Sequence, residues 1–192
     1  MYTGKRVLDV SISLFSLPFV IPTLCVCWAL IFVLSGKNPI FRQIRPGYLE
    51  KPFTIYKLRT LFPSKKEYGQ AIRFGRCLRK YSIDELPQFY NVLIGDMSLV
   101  GPRPLLCEYL SLYSDIQKLR HLTKPGITGL AQINSRNNLD WNKRFEQDVR
   151  YQKNQSLILD IKILSKTIYK VFKTNDVVAE GLSDLQKFKG NN

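Results

Sequence analysis

Two carboxylates stand side by side in the stretch SIDELPQ, residues 82–88, as Asp84 and Glu85, in a chain with 29 lysines and arginines against 15 aspartates and glutamates. Adjacent acids of this kind can share a divalent cation. Magnesium takes one or two protein carboxylates and keeps water or phosphate oxygens as its other ligands. An ionised aspartate can also attack phosphorus and form an acyl phosphate. An anionic nucleophile approaching an anionic diphosphate is repelled by about 4 kcal/mol at 4 Å for an effective dielectric of 20. Such a site therefore needs positive charge beside it. Arg79, five residues upstream, and Arg103 in the stretch GPRP are the candidates. Arginine grips phosphate through two parallel N–H groups, which lysine cannot do. The only histidine is His121, in the basic run KLRH that reads as surface, so acid–base work falls to carboxylates.

The same acids also have a purely architectural reading. Ser82 and Glu85 have the spacing of a capping box. Alternatively Asp84 is the N-cap and Pro87 falls in the first turn. Either way a helix is expected from near Ser82 to Ile94, stopped by Gly95. Upstream, PFTIYKLRT reads as a strand after a Pro46-Gly47 turn, and Ala71 to Tyr81 as a short basic helix. The run from Ser64 to Gly69 reads as a polar loop. Downstream, GDMSLVGPRP reads as loop, Leu105 to Leu122 as a helix, KPGITG as a turn and LAQIN as a short strand. Between Ser156 and Lys173, Lys162, Lys166, Lys170 and Lys173 share one arc at helical periodicity. Leu157, Ile161, Leu164, Ile168, Val171 and Phe172 fall opposite. That helix is expected either to pack on the core or to lie on an anionic membrane face.

No charged residue occurs from Val10 to Gly36. A bilayer span needs roughly 20 apolar residues, so this run is long enough to cross. Pro18 and Pro22 interrupt it, and each removes a backbone donor. Both flanks are basic, with Lys5 and Arg6 before and Lys37, Arg42 and Arg45 after. Lysine and arginine prefer the cytoplasmic side. A re-entrant hairpin that bends at the prolines satisfies both flanks better than a kinked span or a buried soluble helix.

At 192 residues the chain is one domain by length, and 45% apolar residues argue against disorder. The net charge of +14 implies an anionic partner. Cys25, Cys27, Cys77 and Cys107 lack zinc-site spacing and are expected to be free thiols. No glycine-rich nucleotide loop and no nucleic-acid module is present.

Several stretches taken in order resemble the bacterial sugar transferases, and more narrowly the small monotopic phosphoglycosyl transferases. They are Lys5-Arg6 with Asp9, the proline-broken apolar run, FRQIRPG, IYKLRT, SIDELPQFYNVLIGDMSLVGPRPL, KPGITGLAQIN and FEQDVRYQKNQSLILDIKIL. The resemblance runs from about Lys5 to Val171. It implies an α+β, mostly α fold. A re-entrant membrane helix hairpin over residues 1–36 would sit with interfacial amphipathic helices and a small mixed catalytic core over residues 37–192. It implies transfer of a sugar 1-phosphate from a UDP-sugar to undecaprenyl phosphate at the cytoplasmic face of the bacterial inner membrane, releasing UMP. Asp84 would be the nucleophile and Glu85 would bind Mg²⁺ beside it. Arg103, set between Pro102 and Pro104, would hold phosphate, supported by Arg79, Lys57 and Arg59. Arg136 lies where the family carries donor-binding groups. Anionic lipid is an implied partner, nucleic acid is not, and oligomerisation is left open. The alternative from another class is a membrane-anchored basic protein that binds anionic lipid or nucleic acid without chemistry.

Overall fold

The computed structural model describes residues 2–62, 69–134, 140–173 and 188–190, except the side chains of Gln70 and Phe172. The chain is mostly helical with little sheet. One long helix, α1 (Lys5–Ser35), opens it and carries both Pro18 and Pro22 inside without ending at either. Hydroxyls near the prolines bond back to the helix, Ser16 Oγ to the Ile12 carbonyl at 2.5 Å and Thr23 Oγ1 to the Phe19 carbonyl at 2.8 Å. Such back-bonding and local adjustment let an apolar helix tolerate proline. Among the described residues α1 is the one helix long and apolar enough to cross a membrane.

After α1 the chain forms a hairpin of β1 (Ile40–Pro46) and β2 (Pro52–Leu58), paired antiparallel from Ile40 opposite Leu58 to Pro46 opposite Pro52. Helix α2 (Gly69–Lys80) matches the expected basic helix. Helix α3 (Gln88–Ile94) begins six residues later than Ser82. Ser82 does not cap it. Its backbone is left-handed at φ 55°, its side chain makes no cap bond, and a 3₁₀ turn over Ile83–Glu85 follows. Pro87 sits at the N-cap of α3, where its missing donor costs nothing. Gly95 ends α3 in a left-handed conformation, as expected.

Two short strands differ from the sequence reading. The loop GDMSLVGPRP contains β3 (Ser98–Val100), and the turn KPGITG contains β4 (Gly126–Thr128). They pair in parallel, Ser98 with Gly126 and Val100 with Thr128. Three-residue strands buried on both faces show no alternation, so periodicity does not reveal them. Their closeness explains two glycines. A Cβ on Gly101 would collide with the Lys124 carbonyl, and one on Gly126 with the Gly101 nitrogen.

The expected helix from Leu105 to Leu122 is broken into a 3₁₀ turn (Cys107–Leu112), the single-turn helix α4 (Asp115–Lys118) and a second 3₁₀ turn (Leu119–Leu122). Ser114 breaks it by forming a capping box with Gln117, which restarts the helix there. LAQIN is a helix, α5 (Leu130–Asn134), not a strand, because Ile133 turns into the core one helical turn after Leu130 packs against it. Helices α6 (Trp141–Lys153) and α7 (Leu157–Phe172) follow.

The main core gathers Ile55, Val92, Val100, Tyr151 and Ile163 from β2, α3, β3, α6 and α7. An aromatic cluster of Tyr109, Tyr113, Trp141, Phe145 and Phe188 lies beside it. His121 is buried, not on the surface. It packs against Tyr113, with Nδ1 3.4 Å from the Gly47 carbonyl, and burial pushes its pKa down to about 4. Helix α7 turns Asp160 and Ile163 inward but leaves Leu157, Ile158, Ile161, Ile168 and Tyr169 exposed, so much of its apolar arc faces away from the core.

Candidate active site

The acid pair is held by three elements. The 3₁₀ turn presents Asp84 and Glu85, β2 presents Lys57, and the loop after β3 presents Arg103. Asn91 of α3 fixes the strand. Its Nδ2 donates to the Thr54 carbonyl at 2.7 Å and its Oδ1 accepts from the Tyr56 amide at 3.2 Å, as a third strand would. That sets Lys57 one residue further along.

Glu85 is clamped. Its Oε1 accepts from Lys57 Nζ at 2.5 Å and from an Arg103 guanidinium nitrogen at 2.7 Å, and its Oε2 faces a second Arg103 nitrogen at 3.3 Å. Burial alone would raise the Glu85 pKa. The charges of Arg103 and Lys57, with their hydrogen bonds, overcome that and hold it at about 2.

Asp84 differs. It is 8% exposed and accepts no hydrogen bond from any described residue. Burial raises its pKa first, and the neighbouring Glu85 charge adds to that. Lys57, Arg103 and Arg79 oppose them. Burial and the nearby Arg103 lower the Lys57 pKa, against the pull of Glu85. The result is one carboxylate saturated by cations and a second carboxylate poorly solvated beside it.

Arg103 is itself positioned. Its carbonyl accepts from Arg120 at 2.7 Å, and Arg120 is fixed by two bonds to Asp148 Oδ2 at 3.0 and 2.7 Å. Both members of that pair are buried. Pro102 and Pro104 stiffen the loop on either side of Arg103 and line a small recess with Gly47 and His121.

Of the residues singled out from sequence, Asp84, Glu85, Lys57 and Arg103 come together. Arg79 contributes charge near Asp84, while one of its guanidinium nitrogens bonds the Thr60 carbonyl at 2.6 Å. Arg59 is directed elsewhere, with Nε on the Asn38 carbonyl at 2.7 Å. Arg136 lies outside the described residues, as does most of the polar loop from Ser64 to Gly69.

Sequence reasoning missed a second buried polar centre. Lys5 Nζ bonds Asp160 at 2.7 Å and the Val100 carbonyl at 3.0 Å. Tyr151 Oη donates to the same carbonyl at 3.0 Å and to Asp160 at 2.7 Å. Asp9 accepts from Ser98 Oγ and the Leu99 amide, each at 3.0 Å. The start of α1 is thus tied to β3, three residues before Arg103. Lys5 and Arg6 were legible as a charged flank and, with Asp9, as part of the family resemblance, but not as anchors of α1. The Lys5 partner Asp160 lies 155 positions away, where spacing carries no signal, and Arg6 donates elsewhere, to the Val92 and Leu93 carbonyls.

Among the described residues no group of three His, Cys, Asp or Glu side chains could hold a metal. The donor set nonetheless fits Mg²⁺, which asks for hard oxygens from one or two carboxylates and fills the rest with phosphate and water. Asp84 is the carboxylate with open lone pairs.

This geometry meets independent comparisons. A family model described as bacterial sugar transferase matches residues 1–174. A protein of Bacillus subtilis named uncharacterized sugar transferase EpsL is 46% identical over 189 residues, covering 92% of this chain and 94% of that one. The UDP-glucose:undecaprenyl-phosphate glucose-1-phosphate transferase of Klebsiella pneumoniae is 38% identical over 88% of this chain, which spans 40% of that longer protein. The UDP-N-acetylgalactosamine-undecaprenyl-phosphate N-acetylgalactosaminephosphotransferase of Aeromonas hydrophila is 36% identical over 85% of this chain and 42% of its own length. The chain belongs to the bacterial sugar transferases, and it is an enzyme of that class.

Proposed function

We propose that this enzyme moves a sugar 1-phosphate from a UDP-sugar to undecaprenyl phosphate in two displacements. In the first, an Asp84 carboxylate oxygen bonds to the sugar-bearing phosphorus, the bond to the bridging oxygen breaks, and UMP leaves with the electron pair. In the second, a phosphate oxygen of undecaprenyl phosphate attacks the same phosphorus. Asp84 is released as carboxylate and undecaprenyl-diphospho-sugar forms. The observation that carries the reading is the contrast within the acid pair. Asp84 is buried with open lone pairs, while Glu85 is clamped by the cations that a diphosphate would need. A nucleophile that is poorly solvated loses little hydration on attack. Arg103, with Arg79 nearby, offsets the repulsion between Asp84 and the donor. Mg²⁺ held by Asp84 and donor phosphate oxygens, with Glu85 adjacent, would neutralise the diphosphate charge.

Membrane association with a re-entrant α1 is part of the same reading. Both ends of α1 dock on the catalytic unit. Lys5 and Asp9 bond Asp160, Ser98 and Leu99, while Cys27 and Ile31 pack with Leu58 and Leu78. In the middle one side is open, with Phe15 81% and Phe19 73% exposed, while Ser13 and Val20 are buried. A 31-residue helix is about 46 Å long if straight. A straight span would carry one docked end across the bilayer, whereas a bend at Pro18 and Pro22 keeps both on the cytoplasmic face. The exposed apolar arc of α7, on a helix that also carries Lys162, Lys166 and Lys170, suits a lipid surface. A non-catalytic lipid-binding role leaves the acid pair and its clamp unexplained.

Incubation with a UDP-sugar and Mg²⁺ followed by mass spectrometry is expected to place a phosphosugar on Asp84. Full activity in Asp84→Asn would refute the assignment.

A further inference from the structure

Gln88 is the first residue of α3, one helical turn beyond Asp84. Its side chain is 2% exposed, and its Nε2 is buried with no partner among the described residues. A buried N–H without an acceptor is costly, and native folds hold few of them. Asp84 shows the converse. It is a buried carboxylate that accepts no bond from any described residue. The two lie on one stripe. The backbone stays right-handed helical from the Ile83–Glu85 turn through Leu86 and Pro87 into α3. Along it the buried positions are Asp84, Pro87, Gln88, Asn91 and Val92, spaced as a single inward face. Further along that face Asn91 bonds the backbone of β2, and Val92 joins the core. Gln88 does neither. An apolar side chain of its size would fill the same place without stranding a donor.

We propose that Gln88 is a positioning residue for Asp84, its carboxamide holding the carboxylate oxygen that does not attack phosphorus. The inference rests on the two-step transfer proposed above and adds what aims its nucleophile. Residues four apart on a helix bring their Cβ atoms to roughly 5–6 Å, and Gln–Asp pairs at this spacing form hydrogen bonds. A helical side chain leans toward the N-terminus, which carries Gln88 back over Asp84. A carboxylate has two oxygens, and attack uses one. With the other held by Gln88 Nε2, the attacking lone pair keeps its direction. As the new P–O bond forms, the held oxygen becomes the carbonyl oxygen of the acyl phosphate. When undecaprenyl phosphate displaces Asp84, the electron pair of the broken P–O bond returns to the carboxylate, and the same N–H stabilises the returning charge. No proton changes hands at Gln88. Glu85, already bonded by Lys57 and Arg103, does not compete for the donor.

Gln88→Met keeps the length of the side chain and removes the N–H. Gln88→Leu stands in if the first variant is poorly folded. In the full-length protein with a UDP-sugar and Mg²⁺, rapid quench and mass spectrometry read the rate of adduct formation on Asp84. At saturating donor that rate is expected to fall roughly 10–100-fold, the scale of one hydrogen bond to a charged group. The donor concentration giving half the maximal rate should stay unchanged, because Gln88 touches Asp84 and not the donor. The thermal midpoint should hold or rise, because the change removes a stranded donor. Wild-type rates in a folded variant would overturn the assignment. So would a shift in half-saturating donor at an unchanged maximal rate, which would put Gln88 on the substrate. Poor folding of both variants would make Gln88 structural and overturn it as well. In each of these cases an adduct in the parent protein leaves the transfer reaction standing. A parent protein that forms no adduct would remove the transfer reaction and this inference with it.

Discussion

Among the described residues lysine meets a buried carboxylate in two places, and they are finished differently. At Lys5 and Asp160 both side chains are fully enclosed, and Tyr2, Tyr151 and the Val100 carbonyl complete the hydrogen bonding around them. At the acid pair, Lys57 and Arg103 satisfy Glu85 but leave Asp84 without a bond from any described residue. The first is a closed joint. The second holds a carboxylate with lone pairs that no described residue fills. A buried charge with all its partners resists change, whereas one short of partners is disposed to acquire a ligand or a proton.

Four measurements sharpen or break that contrast. The largest effect is expected from Asp84→Asn. It should lower turnover about 10³-fold or more, as removal of a reacting group does, and abolish the adduct. Its thermal midpoint should stay near that of the parent, since an amide relieves repulsion from Glu85. A large loss of stability would mean that Asp84 is structural after all. Next, Lys5→Met strands Asp160 in the interior and should destabilise the fold by about 3–5 kcal/mol in denaturant titrations. If stability is unchanged but turnover falls, the closed joint has been misread. Third, Arg103→Lys keeps the charge but loses the bidentate grip. Turnover per UDP-sugar bound is expected to fall roughly 10–100-fold with the fold intact, corresponding to about 1.5–3 kcal/mol for a charged hydrogen bond. The smallest effect concerns pH. The Glu85 pKa is about 2 in the folded chain against 4.5 ordinarily. Its clamp therefore contributes stability that is full above about pH 4.5 and fades as pH falls toward 2. Glu85→Gln should flatten that part of the stability curve, and an unchanged slope would show that the clamp contributes little.

The sequence made the reactive centre legible because its members are short-range. Asp84 and Glu85 are adjacent, Arg103 stands between two prolines, and Lys57 lies in a strand with a clear pattern. What stayed hidden depends on distance or on competition. The Arg120–Asp148 pair, which holds the Arg103 carbonyl, joins residues whose spacing matches no local rule. Ser82 had the spacing of a cap, but Pro87 moved the helix start past it. The strands β3 and β4 were invisible because three residues are too few for a period. His121 read as surface from its basic neighbours, yet the aromatic cluster drew it inside. The amphipathic pattern of α7 was correct, but pattern alone did not say which part of its apolar arc meets protein. In the fold Leu164 of that arc packs on the core and Ile161 does not, while the fully buried Ile163 lies outside it.

The joint between Lys5 and Asp160 also sets an order of events during synthesis. The ammonium group leaves the ribosome early, and its counter-charge follows 155 residues later. Before α7 has been made, Asp9 can already accept from Ser98 and Leu99 of β3, but the Lys5 ammonium has no carboxylate to meet. A chain halted before Asp160 would therefore leave the Lys5 ammonium unpaired where the complete fold encloses it.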